Sequence, residues 1–199
     1  MKNFVPLIVA MAFIALLVGY SSVPSSNTAE FEVVGVSTTG EGELVPFSLE
    51  LSPGTGKVLV DAADASYRRD TADSLKEARD AAEGVLGVPL QNADLFLDLD
   101  VSGVDLGGGS GGAAFAVAVI AAYYGVDPDP SGLISASLGE NGLEPVGGAA
   151  EKAFAAADAG KHFFVVCDSQ QIAGEDSLKA RIQIIRVSSL KEAAELFVN

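Results

Sequence analysis

The sequence predicts a mixed α+β domain in which helices and strands form packed layers. Short runs with alternating apolar residues, typical of half-buried strands, occupy the first part of the chain, and Ala-rich helical segments alternate with strands in the second part. With 199 residues, of which 49% are hydrophobic, the chain is long enough for one domain with a sizeable core but not comfortably for two domains. We therefore expect a single α+β (α/β layered) domain that begins with a β-rich half.

Alternation and turn residues define the elements of the first half. The alternating runs over 31–37 and 44–51 are separated by Thr-Gly-Glu-Gly, which is typical of a hairpin. Ser-Pro-Gly precedes the third run, over 57–61. The last run has apolar residues at its odd positions, as a strand facing a core does. The predicted elements are strands 31–37, 44–51, 57–61 and 94–101, and a helix from Asp70 or Thr71 to about Leu86.

The second half alternates helices with strands. A glycine-rich loop leads into an apolar helix, and Glu-Asn-Gly at 140–142 turns the following strand back. Gly160 is a natural residue to follow the C-terminus of the next helix. The predicted elements are a helix over 113–123, a strand over 132–138, a helix up to Gly160, a strand over 163–167, a helix around 169–180, a strand over 181–187 and a helix over 189–197.

Charge and cysteine content exclude several classes of partner. Twelve basic and 27 acidic residues give a net charge of −15, which argues against nucleic acid and anionic lipid headgroups as partners. Cys167 is the only cysteine, so neither an intramolecular disulfide nor a cysteine-based zinc site is available. His162 is the only histidine and is interpreted as a partly buried structural residue, so we predict no metal site and no cofactor.

The N-terminal segment is typical of export. Residues 4–20 are nearly all apolar, Lys2 precedes them, and the next charged residue is Glu30. We expect a signal-anchor or signal peptide over 1–20, a linker over 21–29, and the domain over 30–199. An uncleaved anchor is favoured over secretion after signal cleavage, and in both cases the domain lies outside the cytoplasm.

A serine in the glycine-rich loop is the candidate nucleophile. Ser110 lies in Gly-Gly-Gly-Ser-Gly-Gly at 107–112, before an uninterrupted small and apolar stretch, so we expect it to precede a buried helix. A helix N-terminus offers unpaired backbone N–H groups, and glycines let a substrate carbonyl approach the chain. The alternatives are an incidental serine in a flexible turn and phosphate binding, which is weakened because no Lys-Ser or Lys-Thr follows.

Lys152 is the candidate general base. A serine hydroxyl needs a base to remove its proton, and lysine can act as one only where burial lowers its pKa. The neighbours of Lys152 at helical spacing are all small or apolar: Pro145, Gly148, Ala149, Ala155, Ala156 and Ala159. An ordinary lysine whose stem lies along such a stripe is an equally weighted alternative.

Three aspartates close to the loop along the chain remain ambiguous. Asp98, Asp100 and Asp105 approach Ser110 in sequence and would line a cleft if their side chains converged there. Solvated carboxylates at a strand edge are the commoner arrangement.

The two motifs resemble those of the proteolytic domain of Lon proteases, most closely the small archaeal Lon-like proteins with an N-terminal membrane segment and no ATPase module. The family's nucleophile motif is matched at 109–112, and its Pro-hydrophobic-Gly-Gly-x-x-Glu-Lys motif at 145–152. The resemblance extends over the domain from Glu30 onward. It departs from the family at Gly109, where relatives often have proline or an acidic residue, and at Asp98 and Asp100, where bacterial relatives tend to have histidine.

The resemblance implies an ATP-independent serine endopeptidase with the ribosomal protein S5 domain 2-like fold of Lon catalytic domains. In this family Ser110 and Lys152 would form the catalytic dyad. Ser135 matches a threonine that supports the lysine in relatives, and the oxyanion loop would comprise Gly108, Gly109 and Gly111. Substrates would be unfolded or flexible polypeptides at the outer face of the membrane, and the family's homo-oligomer is a ring. The alternative is a non-catalytic module of the same fold that binds peptides or builds an assembly.

Overall fold

The computed structural model describes residues 23, 25–62, 65–99, 104–105 and 109–198 and has a mixed α+β architecture. The strands are β1 (Asn27–Ser37), β2 (Gly42–Pro53), β3 (Val58–Asp61), β4 (Ala93–Leu99), β5 (Val104–Asp105), β6 (Gly132–Ile134), β7 (Ser137–Gly139), β8 (Gly142–Glu144), β9 (Phe163–Cys167) and β10 (Gln183–Val187). The helices are α1 (Ala65–Leu86), α2 (Gly112–Tyr124), α3 (Ala149–Asp158), α4 (Glu175–Leu178) and α5 (Leu190–Phe197), and a 3₁₀ turn at Gly109–Gly111 precedes α2.

Three sheets organise these elements. The largest has the strand order β3-β4-β2-β1-β5, in which only the β3–β4 pair is parallel. A second, fully parallel sheet has the order β10-β9-β6, and β7 pairs with β8 in a hairpin. Parallel strands need a crossover between them, and α3 provides the one between β6 and β9.

Two apolar cores lie on opposite faces of β1, because successive side chains of a strand alternate between its faces. Val33 belongs to the larger core, which contains α2 and the inner face of β2 and β4. Val34 belongs to the smaller core, which contains Ala149, Ala153 and Ala156 of α3. Strand β1 therefore lies between the helix that follows Ser110 and the helix that carries Lys152.

Most predicted elements are present, with shifted ends. Strand β9 has the predicted bounds, and α5 begins one residue later than predicted because Ser189 caps it, accepting a hydrogen bond from the N–H of Glu192. Strand β1 begins at Asn27, so the last three residues of the predicted linker pair with β2. Helix α1 begins at Ala65, five residues before the first predicted start.

Two predicted elements are wrong in form. The strand predicted over 132–138 is divided into β6 and β7, because the chain leaves β9 after Ser135 and the carbonyl of Ala136 instead accepts a hydrogen bond from Ala113 of α2. The helix predicted around 169–180 is reduced to the four residues of α4. Hydrogen bonds of Gln170 hold the segment before α4 in place. In one of them the N–H of Gln170 donates to the carbonyl of Cys167.

None of the helices among the described residues is long and apolar enough to cross a bilayer. The apolar segment 4–20, on which the predicted anchor rests, lies outside these residues, as do Asp100 and Gly108.

Candidate active site

Ser110 lies in the 3₁₀ turn directly before α2 and is half-buried. The turn fits here because its glycines lack side chains. A Cβ on Gly111 would lie 3.1 Å from Cγ2 of Val33 and 3.3 Å from the ring of Phe115, and one on Gly112 would lie 3.3 Å from Cγ of Leu138. A side chain at either position would force these neighbours to shift, so the two glycines allow β1, α2 and β7 to pack closely.

Helix α2 holds the turn firmly in place. Every residue from Gly112 to Ala122 is buried. A helix that is apolar on all sides is stable only inside a protein, where its neighbours fix its position. Ser110 is therefore presented from a rigid element at a helix N-terminus, where backbone N–H groups and the helix dipole favour negative charge.

Lys152 lies on the buried face of α3. The helix begins after Gly148, whose φ of +66° is a left-handed conformation that suits glycine, and a Cβ there would lie 2.6 Å from Cγ2 of Val36. The buried residues of α3 are Ala149, Lys152, Ala153 and Ala156. Ala159, which the sequence places on the same stripe, is exposed.

Burial changes the proton affinity of Lys152. The residue is 3% exposed, and this desolvation lowers its pKa from 10.5 to about 8, because an ammonium group is less stable away from water. No carboxylate forms an ion pair with it within the described part of the chain. About a tenth of Lys152 is therefore neutral at pH 7, and about half at pH 8.

Ser135 connects Lys152 to the serine turn. Nζ of Lys152 donates to Oγ of Ser135 across 3.2 Å, and this hydroxyl donates to the carbonyl oxygen of Ser110 across 3.5 Å. Ser135 is 1% exposed and its N–H bonds to the carbonyl of Val165, which fixes its backbone to β9. Three residues from the glycine loop, the β6–β7 connection and α3 thus meet at one point.

Gln170 is a residue of this neighbourhood that the sequence analysis missed. Its side chain is buried, and Oε1 accepts a hydrogen bond of 2.8 Å from the N–H of Val146, just before the glycines that start α3. Its own carbonyl accepts from the guanidinium of Arg186, which forms a bidentate pair with Glu175 at 2.9 and 2.5 Å. A lone glutamine carries no recognisable spacing signal, so only the fold reveals this network.

The other candidate residues lie elsewhere. His162 is exposed, which corrects the interpretation as a partly buried residue. Lys161, at the end of the segment after α3, forms a half-buried ion pair with Glu32 of β1. Asp98 is exposed on β4, opposite Ser48 and Asp61, and Asp105 pairs through its backbone with Val36.

Of the predicted oxyanion loop, the structure describes Gly109 and Gly111. Gly109 is half-buried, and a Cβ there would lie 3.4 Å from Oγ of Ser137 in β7. The described residues contain no group of three or more histidine, cysteine, aspartate or glutamate side chains that would hold a metal ion.

No protein-family model matches the chain, and no curated protein matches it.

Proposed function

We propose that the chain is an ATP-independent serine endopeptidase in which Ser110 is the nucleophile and Lys152 the general base. The observation that supports this most is a buried lysine whose hydrogen-bond partner is a hydroxyl. Burying an amine without a carboxylate lowers its pKa and destabilises the fold, and such perturbed groups concentrate at functional sites. A neutral lysine is the form that removes a proton from serine.

The reaction proceeds in two halves. Neutral Lys152 takes the hydroxyl proton of Ser110 while Oγ forms a bond to the peptide carbonyl carbon, and backbone N–H groups of the glycine turn stabilise the oxyanion. The C–N bond breaks as the Lys152 ammonium gives its proton to the leaving amine. Lys152 then takes a proton from water, which attacks the acyl carbon, and the proton returns to Ser110 as the product acid leaves.

Ser135 holds the amine in this cycle. Its hydroxyl accepts a hydrogen bond from Nζ of Lys152 and donates to the carbonyl of the nucleophile's own residue, so it orients the base relative to the serine turn. Lysine has a long flexible side chain, and fixing its end removes rotamers that would be unproductive.

The proposed substrates are flexible or already unfolded polypeptides at the outer face of the membrane. The motifs at 109–112 and 145–152 support a Lon-like catalytic domain with an S5 domain 2-like fold, and the same likeness underlies the proposal of a ring of copies. The apolar segment 4–20 behind Lys2 supports anchoring with the domain outside the cytoplasm.

Hydrolysis of an unstructured protein tests the proposal. The full chain should cleave casein or fluorogenic peptides without ATP, and Ser110→Ala and Lys152→Arg should both be inactive, because arginine keeps the charge but cannot supply a neutral base. Retained hydrolysis by a folded Ser110→Ala chain would overturn the assignment. Peptide binding without hydrolysis by the unsubstituted chain would favour the non-catalytic module.

A further inference from the structure

The chain enters the domain beside the C-terminal end of α2. Val23 is 3% exposed and belongs to the larger core. Four residues later, Nδ2 of Asn27 donates a hydrogen bond of 3.0 Å to the carbonyl of Ala122 in the last turn of α2. Tyr20, the last residue of the predicted membrane segment, precedes Val23 by three residues, which at full extension reach about 10 Å.

The same end of α2 has an exposed apolar surface. Tyr124 is 61% exposed and Val126 is 37% exposed, and they are two of the four exposed large hydrophobic residues in the described part of the chain. Beside Tyr124, a groove of about 210 Å³ opens between α1, α2 and α5. Its apolar lining includes Val85, Leu86, Ile120 and Val198, and its charged residues are Lys191 and Glu195.

We propose that this end of the domain, with Tyr124 and Val126 at its tip, rests on the headgroup region of a bilayer. The inference rests on the membrane attachment within the proposed function. Tyrosine is favoured at a membrane interface, since its ring is apolar and its hydroxyl remains hydrated. The chain enters the domain within about 10 Å of the predicted span, so this surface faces the lipid.

The geometry favours a bilayer over a folded-back segment as the occupant. A helix is about 10 Å across, and the groove is too small to enclose one formed by residues 4–20. Seventeen residues in a helix extend about 25 Å, close to the thickness of the hydrocarbon core. The groove has one positive and one negative lining residue in a chain of charge −15, so zwitterionic headgroups suit it better than anionic ones.

The position of the domain on the bilayer determines how far from the membrane Ser110 cleaves the peptide bonds of a substrate. Ser110 lies two residues before Gly112, the first residue of α2, and Tyr124 is the last residue of that helix. The 13 residues of α2 therefore separate Ser110 from Tyr124 by about 20 Å. Helix α2 then acts as a spacer that points the serine turn away from the membrane. With α2 along the membrane normal, a substrate tail anchored in the same bilayer must extend by about six residues before its peptide bonds reach Ser110.

Fluorescence quenching in liposomes tests the orientation. The full chain is reconstituted in phosphatidylcholine vesicles with a fluorophore on Tyr124→Cys or, as the matched control, on Glu140→Cys. Glu140 is exposed in the β7–β8 turn, and β7 packs against Gly112 at the other end of α2. Cys167 is fully buried and stays in place, and the chain without added cysteine gives the background. Val126→Cys provides a second site should Tyr124→Cys fold poorly.

Lipid with a nitroxide headgroup should quench the label at 124 several-fold more than the label at 140, and aqueous iodide should show the reverse order. Equal quenching of the two labels would overturn the orientation. A label at 124 that is shielded from both quenchers would also overturn it, since residues 4–20 or a second copy would then cover the groove. Flotation with the vesicles tests attachment, and none of these readouts needs hydrolysis, so a lack of peptidase activity is a separate outcome.

Discussion

The amine of Lys152 donates a hydrogen bond to the hydroxyl of Ser135, 3.2 Å away. Among the residues that the structure describes, no carboxylate forms an ion pair with this amine. A surface lysine would gain solvation, and a buried structural lysine would be expected to have an acidic partner. Burial with a hydroxyl partner instead keeps the amine available in its neutral form.

Peptidase activity should rise with pH around a midpoint near 8. The pKa of Lys152 is lowered by burial to about 8, and only the neutral amine accepts the serine proton. At pH 6 roughly 1% of the amine is neutral, so the rate constant for cleavage should be about a hundredfold below its plateau. A rate profile from pH 5 to 10 with a fluorogenic peptide measures this, and a profile that is flat above pH 6 would contradict the assignment.

Replacing Lys152 with methionine should stabilise the fold below pH 8. The folded pKa of about 8 lies below the ordinary value of 10.5, so the unfolded state binds more protons between these values. Stability of the natural chain therefore rises with pH through this window, and below pH 8 the charged form costs roughly 3 kcal/mol. Urea unfolding should show Lys152→Met more stable by up to about this amount at pH 7.

The advantage of the methionine variant should shrink as pH rises from 8 to 10.5 and vanish above it. Other titrating groups are common to both chains, so the difference between the two isolates Lys152. A stability difference that is the same at pH 7 and pH 10.5 would show that Lys152 is not desolvated in the folded chain.

Ser135→Ala should reduce the catalytic rate constant by about tenfold to a hundredfold with little change in KM. The substitution removes the acceptor for Nζ of Lys152, which becomes charged as it takes the serine proton, and a hydrogen bond to a charged group contributes about 1.5–3 kcal/mol. Ser135→Thr retains the hydroxyl and should keep most of the activity. Steady-state kinetics of the two variants distinguishes these outcomes. Equal losses of kcat in Ser135→Ala and Ser135→Thr would show that Ser135 contributes through packing alone.

Gln170 should act as a positioning residue for the start of α3. Gln170→Ala removes the acceptor of the Val146 N–H, which lies two residues before Gly148, so the lysine helix should loosen and the midpoint of the pH profile should move. Gln171→Ala is the matched control, because the neighbouring glutamine is exposed. Hydrogen exchange at Val146 should increase in the first variant only. Unchanged exchange there would contradict the role.

The site's two motifs were recognisable in the sequence because their chemistry is local. Ser110 is followed by an unbroken apolar stretch, and Lys152 follows a Gly-Gly pair at helical spacing from small residues, so both helices could be anticipated. The proximity of Ser110, Ser135 and Lys152 arises from β1 lying between α2 and α3, which is a tertiary arrangement. The sequence offers no spacing that singles out Ser135, and its link to the lysine is implied by the family resemblance only.

The two elements that were predicted incorrectly are altered by hydrogen bonds to residues far away in the chain. The strand predicted over 132–138 contains a good β pattern, but Ala113 takes the carbonyl of Ala136 and draws the chain towards α2. The helix predicted around 169–180 is shortened where Gln170 binds Val146 and Arg186. Such partners lie 16 to 24 residues away in the chain, so local periodicity does not contain them.

Covalent labelling of the serine tests the central claim most directly. A small fluorophosphonate reacts only with a serine whose proton is removed by a neighbouring base, and it needs neither a natural substrate nor an ATPase. At pH 8 to 9 the intact chain should gain one adduct, peptide mapping should place it on Ser110, and Ser110→Ala and Lys152→Met should gain none. Absence of an adduct on Ser110 in the folded natural chain, or equal labelling of Lys152→Met, would contradict the Ser–Lys dyad.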